Sequence, residues 1–140
     1  MTTYIPIALR RLVIERADNC CEYCKVSQED RFLSYEVDHI IAEKHGGDSS
    51  ENNLCWSCYI CNGFKGSDIG SIDWEGTGQL TPLYHPRQQH WEDHFFIDGI
   101  EIIPLTAEGR VTIYLLHLNS VDTLIERDLR KSQGRYPCDH

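Results

Sequence analysis

Residues 36–66 read EVDHIIAEKHGGDSSENNLCWSCYICNGFKG, and their reading decides the fold. Histidines, adjacent asparagines, a Gly-Gly pair and three cysteines crowd between short apolar patches. Asp38 and His39 fall where a short strand predicted over 32–37 runs into a Gly-, Ser- and Asn-rich loop. A carboxylate beside an imidazole offers a hard oxygen ligand next to a general base. Neighbours in a regular strand point to opposite faces. A joint site therefore predicts irregular backbone at that junction, or a metal bridging its edge. From Cys58 onward, CYICNGFKG predicts a short helix ended by Gly66. Asn62 and Lys65 share a face of it, while Cys61 and Asn62, about 100° apart, address different sites. Cysteines then serve one metal, and Asp38 with Asn62 a second, working ion.

The first metal follows from spacing. Cys21 and Cys24 form a Cys-x2-Cys pair, and Cys58 and Cys61 repeat it. Two such turns can close a tetrahedral zinc site, which has no open position and so holds structure rather than doing chemistry. Cys20 and Cys55 lie close enough to compete for the ion and are otherwise spare; Cys138 has no role.

The chain of 140 residues is 41% hydrophobic and 25% charged, the profile of one folded domain. Its longest apolar runs fall far short of the roughly 20 residues that span a bilayer, and the N-terminus does not read as a secretory signal. This points to the cytoplasm, where metal binding explains seven cysteines better than a disulfide framework. The net charge of −9 counts against a nucleic-acid partner, and four thiolates on one zinc would leave that site at a further −2.

Elsewhere, residues 6–18 read as a helix, 66–82 as an irregular surface connection, and HFFIDGIEIIPL (94–105) as a hairpin turning at Asp98-Gly99. Thr106 begins a capped helix. SVDTLIERDLRKS (120–132) makes another, with Val121, Leu124, Ile125 and Leu129 on one face, and the tail from 133 reads as loose. Trp91, Phe95 and Phe96 read as core, with His94 hydrogen-bonded locally.

The motif stretch resembles the HNH endonucleases, in the variant with Asn in place of the last His. The pattern runs through Asp38, His39, the Lys44-His45-Gly46-Gly47 loop, Asn53 before Leu54, then Cys58, Cys61, Asn62, Lys65 and Gly66. LTPLYHPRQQHWEDHFF (80–96) and IIPLTAEGRVTIYLLHLN (102–119) are similar to the C-terminal part of small stand-alone bacterial members. The resemblance covers roughly residues 8–130. It implies an α+β fold with a ββα-metal core at about 18–68, a four-cysteine zinc site, an N-terminal helix, and a C-terminal extension of hairpin plus helices at about 79–131. It further implies that His39 is the general base, that Asp38 and Asn62 bind one divalent ion such as Mg²⁺, and that Asn53 fixes the loop carrying the histidine. The implied activity is metal-dependent hydrolysis of DNA phosphodiester bonds.

His45 could touch phosphate or cap the Gly46-Gly47 turn, and Lys65 could bind phosphate or end its helix in solvent. Lys44 and Arg87 are further phosphate candidates. An acidic chain with these few bases would bind DNA weakly and salt-sensitively, which leaves room for a partner protein that delivers the nuclease. A zinc-stabilised binding module without catalysis and an RNA-directed nuclease are the alternatives.

Overall fold

A computed structural model describes residues 4–138; residues 1–3, 139 and 140, among them His140, lie outside it. Helix α1 spans Ile7–Arg16 behind Pro6, whose fixed φ suits a helix start. It buries Val13, and Arg16 in its last turn donates to the carbonyls of Glu51 (2.7 Å) and Leu54 (2.5 Å). The helix is thereby tied to the strand that follows the motif loop.

Strand β1 is Glu36–His39, later than the sequence suggests. The Gln28 side chain is the reason: it donates to the Leu33 carbonyl (3.1 Å) and accepts from the Tyr35 amide (2.6 Å). Those backbone groups are spent on a turn, and Phe32 and Leu33 stay exposed. β1 pairs antiparallel with β2, Leu54–Ser57, matching Asp38 to Cys55 and His39 to Leu54. Every residue of β2 is buried, so it shows no alternation by which a half-buried strand would be recognised. Helix α2, Tyr59–Lys65, follows at once, its first turn capped by the Cys58 thiol accepting from the Cys61 amide (3.3 Å). Gly66 ends it at φ 49°.

The segment expected to be irregular folds as a hairpin of β3 (Gly70–Ile72) and β4 (Leu80–Pro82). Its polar composition is used inside the turn. The Asp73 carboxylate accepts from the amide and hydroxyl of Thr77 and from two nitrogens of Arg110, which hold its pKa well below the usual carboxylate range. Helix α3 (Trp91–His94) leads into the hairpin of β5 (Phe95–Asp98) and β6 (Glu101–Pro104). Trp91 and Phe95 are core, and His94 Nδ1 meets Thr106 Oγ1 at 2.6 Å. Phe96 is exposed instead, because successive strand residues face opposite ways.

Helices α4 (Ala107–Leu116) and α5 (Val121–Ser132) are capped by Thr106 and Ser120. On α5 the apolar stripe of Val121, Ile125 and Leu129 faces solvent, while Thr123 and Arg127 are buried. Polar groups point inward because backbone acceptors wait there. Arg127 donates to the carbonyls of Ile100 (2.8 Å) and Leu118 (2.5 Å) and to Asn119 Oδ1 (2.8 Å). Replacing Arg127 with methionine removes all three bonds; the Leu118 carbonyl keeps Thr123 Oγ1 and Asn119 Oδ1 keeps the Ile102 amide, while the Ile100 carbonyl loses its side-chain donor. A loss of about 3 kcal/mol is expected, read as a lower midpoint in denaturant unfolding.

The described part of the tail is docked rather than loose. Tyr136 is buried and donates to the Cys24 carbonyl (2.9 Å), the Cys138 amide donates to the Lys25 carbonyl (2.9 Å), and Arg135 pairs with Asp30. Cys20 and Cys138, given no partner by the sequence, are joined as a disulfide across 118 positions. Among the described residues no helix is long and apolar enough to cross a membrane.

Candidate active site and metal centre

The segment between α1 and β1 makes a tight knuckle, its Cys21 and Lys25 backbone groups paired with Val26 and Cys21. Lys25 takes a left-handed φ of 67° to close it. Cys21 and Cys24 project from this knuckle toward Cys58 and Cys61 at the start of α2. The four sulfurs are buried and lie within 4.8 Å of one another, with Cys24 and Cys58 Sγ 3.8 Å apart. Four thiolates about 2.3 Å from a tetrahedral ion would stand roughly 3.8 Å apart, so the cluster is positioned to bind a metal ion. The amides of Cys24 and Cys61 point at Cys21 and Cys58 Sγ, an arrangement that stabilises thiolate charge.

The spare cysteines are excluded physically. Cys20 lies outside the four-sulfur cluster and is joined to Cys138. Cys55 lies outside the cluster, donates to the Tyr23 hydroxyl (3.7 Å), and burial pushes its thiol up, so it stays neutral.

On β1 the ladder stays in register through His39, and the chain bends only from Ile40, one residue past the expected irregularity. Asp38 and His39 accordingly find different partners. Asp38 Oδ2 is buried, 3.0 Å from Lys65 Nζ, yet outside hydrogen-bonding geometry and without any hydrogen bond. Burial raises the Asp38 pKa and the Lys65 charge opposes that rise. Asn62, one turn before Lys65 on the same face of α2, is half-buried with its side-chain amide unbonded to the described residues. A carboxylate held by one lysine and an unused amide oxygen are the oxygen donors a hard divalent cation takes.

His39 Nε2 lies 2.9 Å from Ser49 Oγ and 3.9 Å from Glu43 Oε1. Neither residue carries a sequence signal beyond its place in the loop. The Ser49 contact engages Nε2, and Nδ1 makes no hydrogen bond to the described residues.

The loop between is held by Asn53. Its Oδ1 accepts from the Ile41 amide (2.9 Å), and Nδ2 donates to the carbonyls of Ile41 (2.9 Å) and Asp48 (2.8 Å). Gly47 is required beside it, since a Cβ there would stand 1.7 Å from the Ile41 carbonyl oxygen and 2.8 Å from Asn53 Nδ2. Gly47→Ala should displace this loop at a cost of about 3 kcal/mol, a fall in Tm of roughly 10 °C, with His39 misplaced in consequence. Calorimetry on the purified variant reads it.

The phosphate candidates divide. Lys44 and His45 are exposed in the turn Glu43–His45, which closes through backbone bonds without the His45 ring. Lys65 is a correction: it is 1% exposed and its Nζ serves Asp38 and the His39 carbonyl (3.0 Å), so it does not reach a phosphate from this position. Arg87 is likewise turned onto Glu22, whose other oxygen accepts from the Trp56 amide (2.7 Å).

A ββα hairpin-and-helix closed by four cysteines, with an Asp-His pair at the strand end, defines the ββα-metal class. Residues 21–68 match a family model described as HNH endonuclease. Among curated proteins it is similar to the Septu protein PtuB of Bacillus thuringiensis, with 27% identity over 124 residues. That alignment covers 87% of this chain but 44% of the relative, so the chain spans less than half of that protein's length. No solved structure matches the chain.

Proposed function

We propose that the chain is a metal-dependent endonuclease hydrolysing DNA phosphodiester bonds, with His39 as general base and a structural zinc on Cys21, Cys24, Cys58 and Cys61. One observation carries the reading. The buried carboxylate of Asp38, paired with Lys65, stands on the residue beside His39, at the point where Asn53 holds the loop. His39 takes a proton from the attacking water at Nδ1, with Nε2–H donating to Ser49 Oγ and so holding the ring. Asp38 and Asn62 would hold a divalent ion such as Mg²⁺, which would supply charge neutralisation at the scissile phosphate and at the leaving oxygen. Lys65 neutralises Asp38 without it, and thus competes for the same oxygen.

Residues 1–140 act as one unit in this reading, the core at about 18–68 doing chemistry and the extension at about 79–131 supporting it. The charge of −9 and the inward use of Arg16, Lys65 and Arg87 leave Lys44 and few other bases near the site. Binding to DNA is then weak, and a protein partner that delivers the nuclease supplies what the surface lacks. In a reducing cytoplasm Cys20 and Cys138 would be thiols, while Tyr136 and Arg135 still hold the tail. The test is cleavage of plasmid DNA with Mg²⁺ by wild type beside His39→Ala; equal nicking by both, or by neither across salt and metal conditions, overturns the assignment.

A further inference from the structure

A cavity of about 410 Å³ lies beside the catalytic strand, a size within the roughly 300–1,000 Å³ of small-ligand sites. Lys65 is the wall it shares with the active site, and Ile40 and Ile41, which follow His39 directly, form another. Leu83 and the His85–Gln89 turn close the far side. We propose that this cavity accepts an unstacked nucleobase of the substrate strand, next to the phosphate being cut. The proposal rests on the nuclease reading and extends it to the form of the substrate.

The lining has the chemistry a base needs. Ile40, Ile41 and Leu83 offer apolar surface to its faces. His85 Nδ1 accepts from the amides of Arg87 and Gln88, both at 3.2 Å, which fixes the tautomer and leaves Nε2–H as a donor. Burial lowers the His85 pKa and keeps the ring neutral. The Gln88 side chain is exposed, makes no hydrogen bond to the described residues, and can both donate and accept. Glu108 adds a carboxylate that accepts from exocyclic amino groups and repels phosphate. Apolar faces together with an edge that both donates and accepts hydrogen bonds describe a nucleobase rather than a backbone group. In a duplex that base is stacked and paired, so it enters only from a single strand or after being flipped out.

Two measurements test this. Single-stranded oligonucleotides and their duplexes are cut by wild type, Gln88→Ala and Ile69→Trp, the last filling the cavity from a site 40% exposed. An abasic residue is then moved along the strand. Expected are a preference for single strands of about tenfold in kcat/KM and a further tenfold loss when the abasic residue falls at one fixed offset from the cut. Both variants should show that loss on intact substrate and none beyond it on the abasic one. Equal cutting of single strand and duplex, no offset effect, or an undiminished offset effect in both variants overturns the proposal. If wild type cuts nothing, the nuclease reading fails separately, and the cavity is read by binding. Deoxynucleoside 5′-monophosphates should shift the amide NMR signals of Ile40, Ile41 and Gln88 in wild type but not in Ile69→Trp. No shift, or the same shift from ribose 5-phosphate, sinks it.

Discussion

Replacing His39 with alanine should lower the rate of plasmid nicking by about a thousandfold while the protein stays folded. A positioned general base contributes about 10²–10⁴ to a rate, and no other side chain at the end of β1 can replace it. Asp38 is committed to the cation side, with Lys65 at 3.0 Å, and Glu43 stands 3.9 Å from the ring it would have to substitute for. The fold should barely register the change. His39 is half-buried and contributes one side-chain hydrogen bond, to Ser49, of about 1 kcal/mol. The loop keeps its three bonds to Asn53, and the β1–β2 register is set by backbone pairing. The measurement pairs a nicking time course in Mg²⁺ with a thermal melt. A Tm within a few degrees of wild type and an unchanged rate would remove His39 from the chemistry.

The parts of this site that were legible in sequence are those whose partners lie nearby. Cys-x2-Cys aims two sulfurs at one point whatever surrounds it, and Asn53 reaches Ile41 and Asp48 within the same loop. What the sequence hid depends on distant groups. Lys65 and Arg87 look like surface bases, but their acceptors, Asp38 and Glu22, come from elements far along the chain. Asp73 organises a hairpin through Arg110, so a stretch with loop composition becomes two strands. β2 was invisible because burial on both faces erases its period. α5 shows the same limit in reverse, since its apolar periodicity correctly marks one face while the backbone acceptors around Arg127 turn the opposite face inward.

Removing the ion from the four-cysteine cluster should unfold the segment that builds the active site. The cluster links the Cys21–Cys24 knuckle to the first turn of α2, and that helix carries Asn62 and Lys65. Structural zinc in small peptides contributes about 10–16 kcal/mol near neutral pH. A domain's whole stability is about 5–15 kcal/mol, so a metal term of that size rivals what the whole buried cluster around Tyr23, Val26, Leu54 and Trp56 leaves as net stability. Four buried sulfurs left without a cation are worse than neutral packing, because any that remain ionised repel. Cys61→Ser should therefore abolish zinc retention and lower Tm by more than about 20 °C, and chelator should do the same to wild type. Falling pH should act in the same direction, since each ligand must lose its proton to bind. Cys55→Ala is the matched control: it is equally buried, but its sulfur meets Tyr23 instead of the cluster, so zinc content should stay at one per chain. Metal analysis and melting of the three proteins separate these outcomes. A Cys61→Ser protein that loses its metal yet melts with wild type would show that packing, and not the ion, holds Asp38 and Asn62 in place.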